Sequence, residues 1–169
     1  MIESVRLHND DPRTLLGETL FTETVKHFAQ RTGTPPGVAE RQVVECVRYL
    51  YLLSKYGEQL GGSFLPVEQP IDDIWHYLIL QTREYAQLCE RLPGGFFIHH
   101  RSLPYEDYQR QTSREQLIEE SLRWLPLYRL EFGPFDEEAL PHWTMARFLH
   151  DEVGLSLAAI AALGTADAR

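Results

Sequence analysis

Apolar residues recur along most of this chain at the three- and four-residue spacing of an amphipathic helix. That spacing predicts helices over residues 13–31, 38–56, 71–90 and 114–132. Segments rich in glycine and proline separate them, and only residues 96–98 are typical of an extended segment. The pattern therefore predicts an all-α, single-domain helical bundle with a long central helix and one short extended return segment. We expect residues 1–14 to form a partly ordered arm and residues 15–169 to form the domain.

The central run, residues 71–90, contains no Gly or Pro and is stopped by the Pro-Gly-Gly sequence that begins at residue 93. Pro70 suits a first helical turn, where its missing N–H costs nothing. At about 100° per residue, Trp75 falls on the main apolar stripe, whereas His76 lies away from it. Ile79 and Leu80 also flank His76, so the helix is apolar on more than one face. This distribution predicts a central, largely buried position.

Four residues in and after this run could bind zinc: His76, Cys89, His99 and His100. Cys89 lies thirteen residues after His76, a distance of roughly 20 Å along a continuous helix. Zinc ligands lie about 2.0–2.3 Å from one ion, so such a helix excludes Cys89 from a site with His76. We therefore expect Cys89 to be a core thiol.

The two adjacent histidines remain candidates, because an extended segment after the Pro-Gly-Gly reversal is long enough to return to His76. Neighbouring side chains of an extended segment face opposite ways, so one of His99 and His100 could meet His76 while the other faces away. Asp72, one turn before His76, could be a carboxylate ligand or could orient the imidazole. Two interpretations stay open for His76, His99, His100 and Asp72: a buried hydrogen-bond network without metal, or a divalent metal site holding zinc or iron.

Composition narrows the class of partner. The chain has 169 residues, 43% apolar and 24% charged, with a formal net charge of −9. This acidic balance argues against binding to nucleic acid or to an anionic membrane. No apolar run approaches the roughly 20 residues of a membrane span, and the N-terminal residues lack a secretory signal pattern. Cys46 and Cys89 both fall on apolar helix stripes, so we expect reduced, unpaired thiols and a cytoplasmic protein.

The central stretch resembles a known family. The sequence PIDDIWHYLIL, followed by Tyr85 and Cys89 and then by Gly95, Phe97 and the histidine pair, is similar to the N-terminal domain of plant glycine-rich domain-containing proteins and their short bacterial relatives. The similarity is strongest over residues 49–102 and looser over 128–143. It implies a local fold and no particular activity, and the bulky pair at residues 96 and 97 departs from the family pattern.

Two classes of function fit these features. The first is a small cytoplasmic accessory protein that binds another protein, or itself, through the apolar C-terminal helix predicted over residues 155–163. The second is a metal-dependent enzyme with a two-histidine, one-carboxylate site formed by His76, His99 or His100, and Asp72. His76 acting as a general base without metal is a third alternative. The chain contains no glycine-rich phosphate loop and no G-x-S-x-G motif.

Overall fold

The computed structural model describes residues 11–60, 67–100 and 113–163. Every regular element in these ranges is helical, and their one β-type pairing is an isolated bridge between Val67 and Trp143. The all-α class is therefore confirmed. The helices are α1 (Pro12–Leu16), α2 (Glu18–Thr32), α3 (Pro36–Tyr56), α4 (Gln69–Leu80), α5 (Thr82–Arg91), α6 (Arg114–Phe132), a 3₁₀ turn (Leu140–His142), α7 (Thr144–Arg147), a π turn (Phe148–Glu152) and α8 (Leu157–Leu163).

The contacts divide the chain into two compact units. The first contains α1 to α5 and the chain that follows α5 as far as Ile98; the second contains the later helices and the segment that precedes α4. The boundaries predicted for a single domain stay a prediction, and residues 1–10 of the predicted arm lie outside the described ranges. Helix α1 nevertheless begins at Pro12, inside that predicted arm, because the Asp11 side chain caps its first turn by accepting a hydrogen bond from Arg13 N (3.1 Å).

In the first unit, the helix predicted over residues 13–31 is interrupted at Gly17. Its φ of 89° lies in the region that only glycine enters readily, and this ends α1 before α2 begins. Helix α3 supplies the centre of the core, with Val43, Cys46 and Leu50 fully buried. Arg91 on α5 donates a hydrogen bond to the Leu15 carbonyl (3.0 Å), which ties α5 to α1.

The single long helix predicted over residues 71–90 is wrong, because the run forms two helices that meet at Gln81. The ψ of Gln81 is 63°, far from the helical value near −42°. Its N–H bonds to the Leu78 carbonyl (3.0 Å) in a tight turn, and its carbonyl accepts the first hydrogen bond of α5 from Tyr85 N (2.8 Å). Glutamine is a good helix former, so the local sequence contains no indication of this break.

The predicted reversal after α5 is present. Gly94 donates its N–H to Ser54 Oγ (2.9 Å), and a Cβ added at Gly94 would lie 2.5 Å from the Ser54 carbonyl oxygen. Only glycine therefore allows this close approach to α3. Beyond it the chain runs back beside α5, where Tyr85 donates a hydrogen bond to the Ile98 carbonyl (2.6 Å). Residues 96–100 form no strand, but the extended return predicted from the sequence is confirmed.

The second unit is organised by α6, which begins with a capping box formed by Ser113 and Gln116. Pro126 lies inside α6, and the helix continues through it instead of breaking. Its buried aromatic residues pack together with two from the following segment: Trp124, Tyr128, Phe135 and Trp143. Helix α8 packs on α6 and buries Ile160, so part of the apolar C-terminal surface is covered within the chain.

Candidate metal centre

Asp72 and His76 lie one turn apart on α4, on the face opposite the residues that α4 buries. The imidazole Nδ1 of His76 is 3.2 Å from Asp72 Oδ2, and the two side chains are 48% and 34% exposed. The exposed position follows from the i, i+4 spacing, because Ile71, Ile74 and Leu78 occupy the buried face. The interpretation as a buried hydrogen-bond network assumed a buried imidazole, whereas His76 is exposed. A network that depends on burying this imidazole loses its main support.

The backbone sets the protonation pattern of His76. Its Nδ1 is 2.8 Å from the carbonyl oxygen of Asp72, and a carbonyl oxygen can only accept a hydrogen bond. Nδ1 must therefore carry the proton in this contact, which leaves the lone pair of the neutral ring on Nε2. Histidines that bind metals commonly donate their other N–H to a carbonyl or carboxylate in this way.

The return segment supplies the third group. One ligand atom from each of Asp72, His76 and His100 lies within 4.8 Å of the other two. Ile98 is buried, His99 is exposed and His100 is half-buried, which is the alternation of an extended chain. His100 thus lies on the inward side of the segment. The sequence left open which of the two histidines meets His76, and the structure brings His100 to it.

His99 and Cys89, the other two residues considered as ligands, lie elsewhere. His99 is exposed and is not among the three grouped residues. Cys89 and Cys46 are both buried free thiols, as the sequence predicted. Burial raises the pKa of the Cys46 thiol, and the negative charge of Asp72 adds to the shift. The Cys46 sulfur therefore lacks the character of a reactive thiolate.

Behind Asp72 and His76, the buried face of α4 meets a polar aromatic cluster. Trp75 Nε1 donates to Tyr85 Oη (2.9 Å), and Tyr85 donates onward to the Ile98 carbonyl. The rings of Tyr49 and Trp75 make an edge contact with centroids 5.5 Å apart. Burial raises the pKa of both the Tyr49 and the Tyr85 hydroxyl, which keeps them protonated at neutral pH. The sequence analysis assigned no hydrogen-bonding role to Tyr85, although a tyrosine at a fully buried position is a usable indication of one.

Two further titratable groups belong to the packing of the first unit. Glu45 on α3 is fully buried and accepts hydrogen bonds from Arg41 Nε and Arg48 Nη1, both at 2.8 Å. This i, i+4 and i, i+3 pairing satisfies the buried carboxylate. His27 on α2 stacks on Tyr77 with centroids 4.5 Å apart. Both contacts are structural, so neither residue extends the candidate centre.

Comparison with known proteins returned no match among family models, curated proteins or solved structures. The resemblance to the glycine-rich domain-containing proteins therefore stays a prediction. Among the described residues, no helix combines the length and the apolar character that crossing a bilayer requires.

Proposed function

We propose that this protein binds a divalent transition-metal ion through Asp72, His76 and His100, and that it acts as a small helical accessory protein. The observation that carries the proposal is the convergence of three ligand atoms within 4.8 Å. In a tetrahedral site with bonds of about 2.0–2.2 Å, two ligands of one zinc ion lie about 3.3–3.6 Å apart. The three ligand atoms, which lie within 4.8 Å of one another, therefore need to close by at most about 1.5 Å, which rotation of half-exposed side chains can supply.

The donor set favours particular metals. Two imidazoles and one carboxylate suit Zn(II) and Fe(II), whereas Mg(II) and Ca(II) prefer oxygen ligands alone. No thiolate takes part, because both cysteines are buried, neither belongs to the group of three, and burial raises the pKa of Cys46. We propose zinc or iron as the resident ion for this reason.

The proposal of an accessory role is based on the charge and the exposed apolar side chains of the protein surface. The chain carries a formal net charge of −9, and large apolar side chains are exposed at Leu80, Phe96 and Phe97. Contiguous exposed apolar patches with a polar rim are typical of protein-binding sites, and we propose that these side chains contribute to one. Self-association through the C-terminal helix also stays a prediction, with less apolar surface to support it because Ile160 packs within the chain.

A metal-dependent enzyme is the second candidate. His76 and Asp72 are 48% and 34% exposed, so an ion bound between them would keep coordination positions open to solvent. A two-histidine, one-carboxylate set with open positions supplies Lewis-acid chemistry with zinc or oxygen chemistry with iron. Azide added to the Co(II)-loaded protein distinguishes the roles, since it changes the visible spectrum when a position is open and leaves a closed structural site unchanged.

Metal titration of matched variants tests the site. We expect the wild type to take up one equivalent of Zn(II) or Co(II), measured by calorimetry and by the Co(II) visible spectrum. His100→Ala, His76→Ala and Asp72→Asn should each weaken binding by more than the roughly 10–100-fold typical of outer-shell changes. His99→Ala is the matched control, because it removes the adjacent exposed histidine and should bind like the wild type.

Two results would contradict the proposal. One is a wild type that shows no saturable uptake of Zn(II), Co(II) or Fe(II) under anaerobic conditions. The other is equal loss of binding in His99→Ala and His100→Ala, which would point to unspecific binding by surface histidines.

A further inference from the structure

The hydroxyl group of Tyr85 joins the two parts of the chain that carry the proposed ligands. Tyr85 is fully buried on α5. Its Oη accepts a hydrogen bond from Trp75 Nε1 at 2.9 Å and donates one to the Ile98 carbonyl at 2.6 Å. One side chain thus connects α4 to the return segment.

Both bonded residues lie next to proposed ligands. Trp75 immediately precedes His76 in α4, so the hydrogen bond to Tyr85 restrains the turn that carries His76. Ile98 comes two residues before His100, and residues two apart in an extended chain lie on the same side. Fixing the Ile98 carbonyl therefore fixes both the height of the segment along α4 and the side on which His100 projects.

The second restraint on the return segment is further from the ligands. Gly94 N bonds to Ser54 Oγ at 2.9 Å, six residues before His100. The ring of Phe97 also makes an edge contact with the ring of Tyr85, with centroids 5.2 Å apart. The Tyr85–Ile98 hydrogen bond is therefore closer to His100 along the chain than the Gly94–Ser54 hydrogen bond is.

We infer that Tyr85 is a positioning residue for the metal centre: it sets metal affinity by holding His100 in register with Asp72 and His76, without itself binding the ion. The inference rests on the proposed function. Its hydroxyl stays protonated because burial raises the pKa of Tyr85, so it remains a donor to Ile98 across the physiological range. The role resembles that of outer-shell groups that orient metal ligands in other proteins.

The test compares Tyr85→Phe with two other variants in the folded protein. Tyr85→Phe keeps the ring and removes both hydrogen bonds, and we expect its Zn(II) affinity to fall roughly 10–100-fold with all three ligands present. Trp75→Phe keeps the Tyr85–Ile98 hydrogen bond and should reduce affinity less. Thr24→Val is the matched control for loss of a buried hydroxyl, because Thr24 Oγ1 bonds only within α2, to the Leu20 carbonyl (2.7 Å); its affinity should be that of the wild type.

A readout besides affinity separates positioning from general destabilisation. Amide hydrogen exchange in the metal-free protein should be faster over residues 96–100 in Tyr85→Phe and unchanged there in Thr24→Val. A wild type that binds no metal overturns the proposed function and the inference with it. A wild type that binds, together with a Tyr85→Phe variant that binds equally tightly, overturns the inference alone.

Discussion

Two buried tryptophans organise the two units of this protein, and they are held in different ways. Trp75 in the first unit donates its indole N–H to Tyr85. Trp124 in the second unit stacks on Trp143 with centroids 4.9 Å apart, and its buried Nε1 has no hydrogen-bond partner in the part of the chain that the structure describes. A hydrogen bond fixes a direction as well as a contact, whereas ring packing fixes mainly a volume. Asp72 and His76 thus belong to the unit whose tryptophan is held by a directional bond.

The largest effect is expected from removing either aromatic centre. Trp75→Ala and Trp143→Ala should each lower the free energy of unfolding by about 3–5 kcal/mol, because both rings are buried and leave large cavities. Urea denaturation with a fitted midpoint and slope measures this. A midpoint close to wild type for Trp75→Ala would show that its ring is not part of the core.

A smaller effect is expected from alkaline pH. Burial raises the pKa values of Cys46, Tyr49 and Tyr85 in the folded protein. The stability that these neutral groups contribute is fully present below their unfolded pKa values, near 8.5 for cysteine and 10 for tyrosine, and is lost as pH rises above them. We expect a loss of at most about 3 kcal/mol between pH 7 and pH 10.

Urea midpoints at pH 7, 9 and 10 test this pH dependence. The double variant Cys46→Ala/Tyr85→Phe should lose less stability over the same range than the wild type does. A wild-type midpoint that stays constant up to pH 10 would contradict the assignment of these groups as buried and neutral.

The smallest expected effect is the difference in stability between phenylalanine variants of the two tryptophans. Both Trp→Phe changes remove part of a ring, but Trp75→Phe also breaks a hydrogen bond, while Trp124→Phe removes a buried N–H that lacks a partner. An unsatisfied buried donor costs roughly 1–3 kcal/mol, so its removal should offset part of the lost packing. We expect Trp75→Phe to be the more destabilising change by about 1 kcal/mol. Equal losses would show that the hydrogen bond to Tyr85 does not distinguish the two sites.

Local periodicity was sufficient to predict most helices and the burial of Cys46, Cys89 and Trp75. It failed at Gln81, where no Gly or Pro marks the break between α4 and α5. There the chain turns although glutamine is a good helix former, so neither propensity nor periodicity marks the position.

The candidate centre was also predictable from the sequence only in part. The i, i+4 spacing placed Asp72 beside His76, because both residues lie on one helix. The choice of His100 over His99 depends on the height at which the return segment is anchored, and the anchor is a hydrogen bond between residues thirteen positions apart. Sequence spacing alone carries no information about that bond, so it could only narrow the choice to the pair.

The side chains of Ile98, His99 and His100 alternate between the inward and the outward side. An insertion in this segment, whether engineered or acquired as the sequence diverges, therefore has a predictable effect on the histidine pair. One residue inserted directly after Ile98 would reverse the parity of the segment, and His99 would take the inward position that His100 now holds. Two inserted residues would restore the parity and move both imidazoles about 7 Å further along the chain. The two adjacent histidines therefore let the segment keep an inward-facing imidazole after a one-residue insertion. A two-residue insertion also keeps an imidazole on the inward side and changes only its position along the chain.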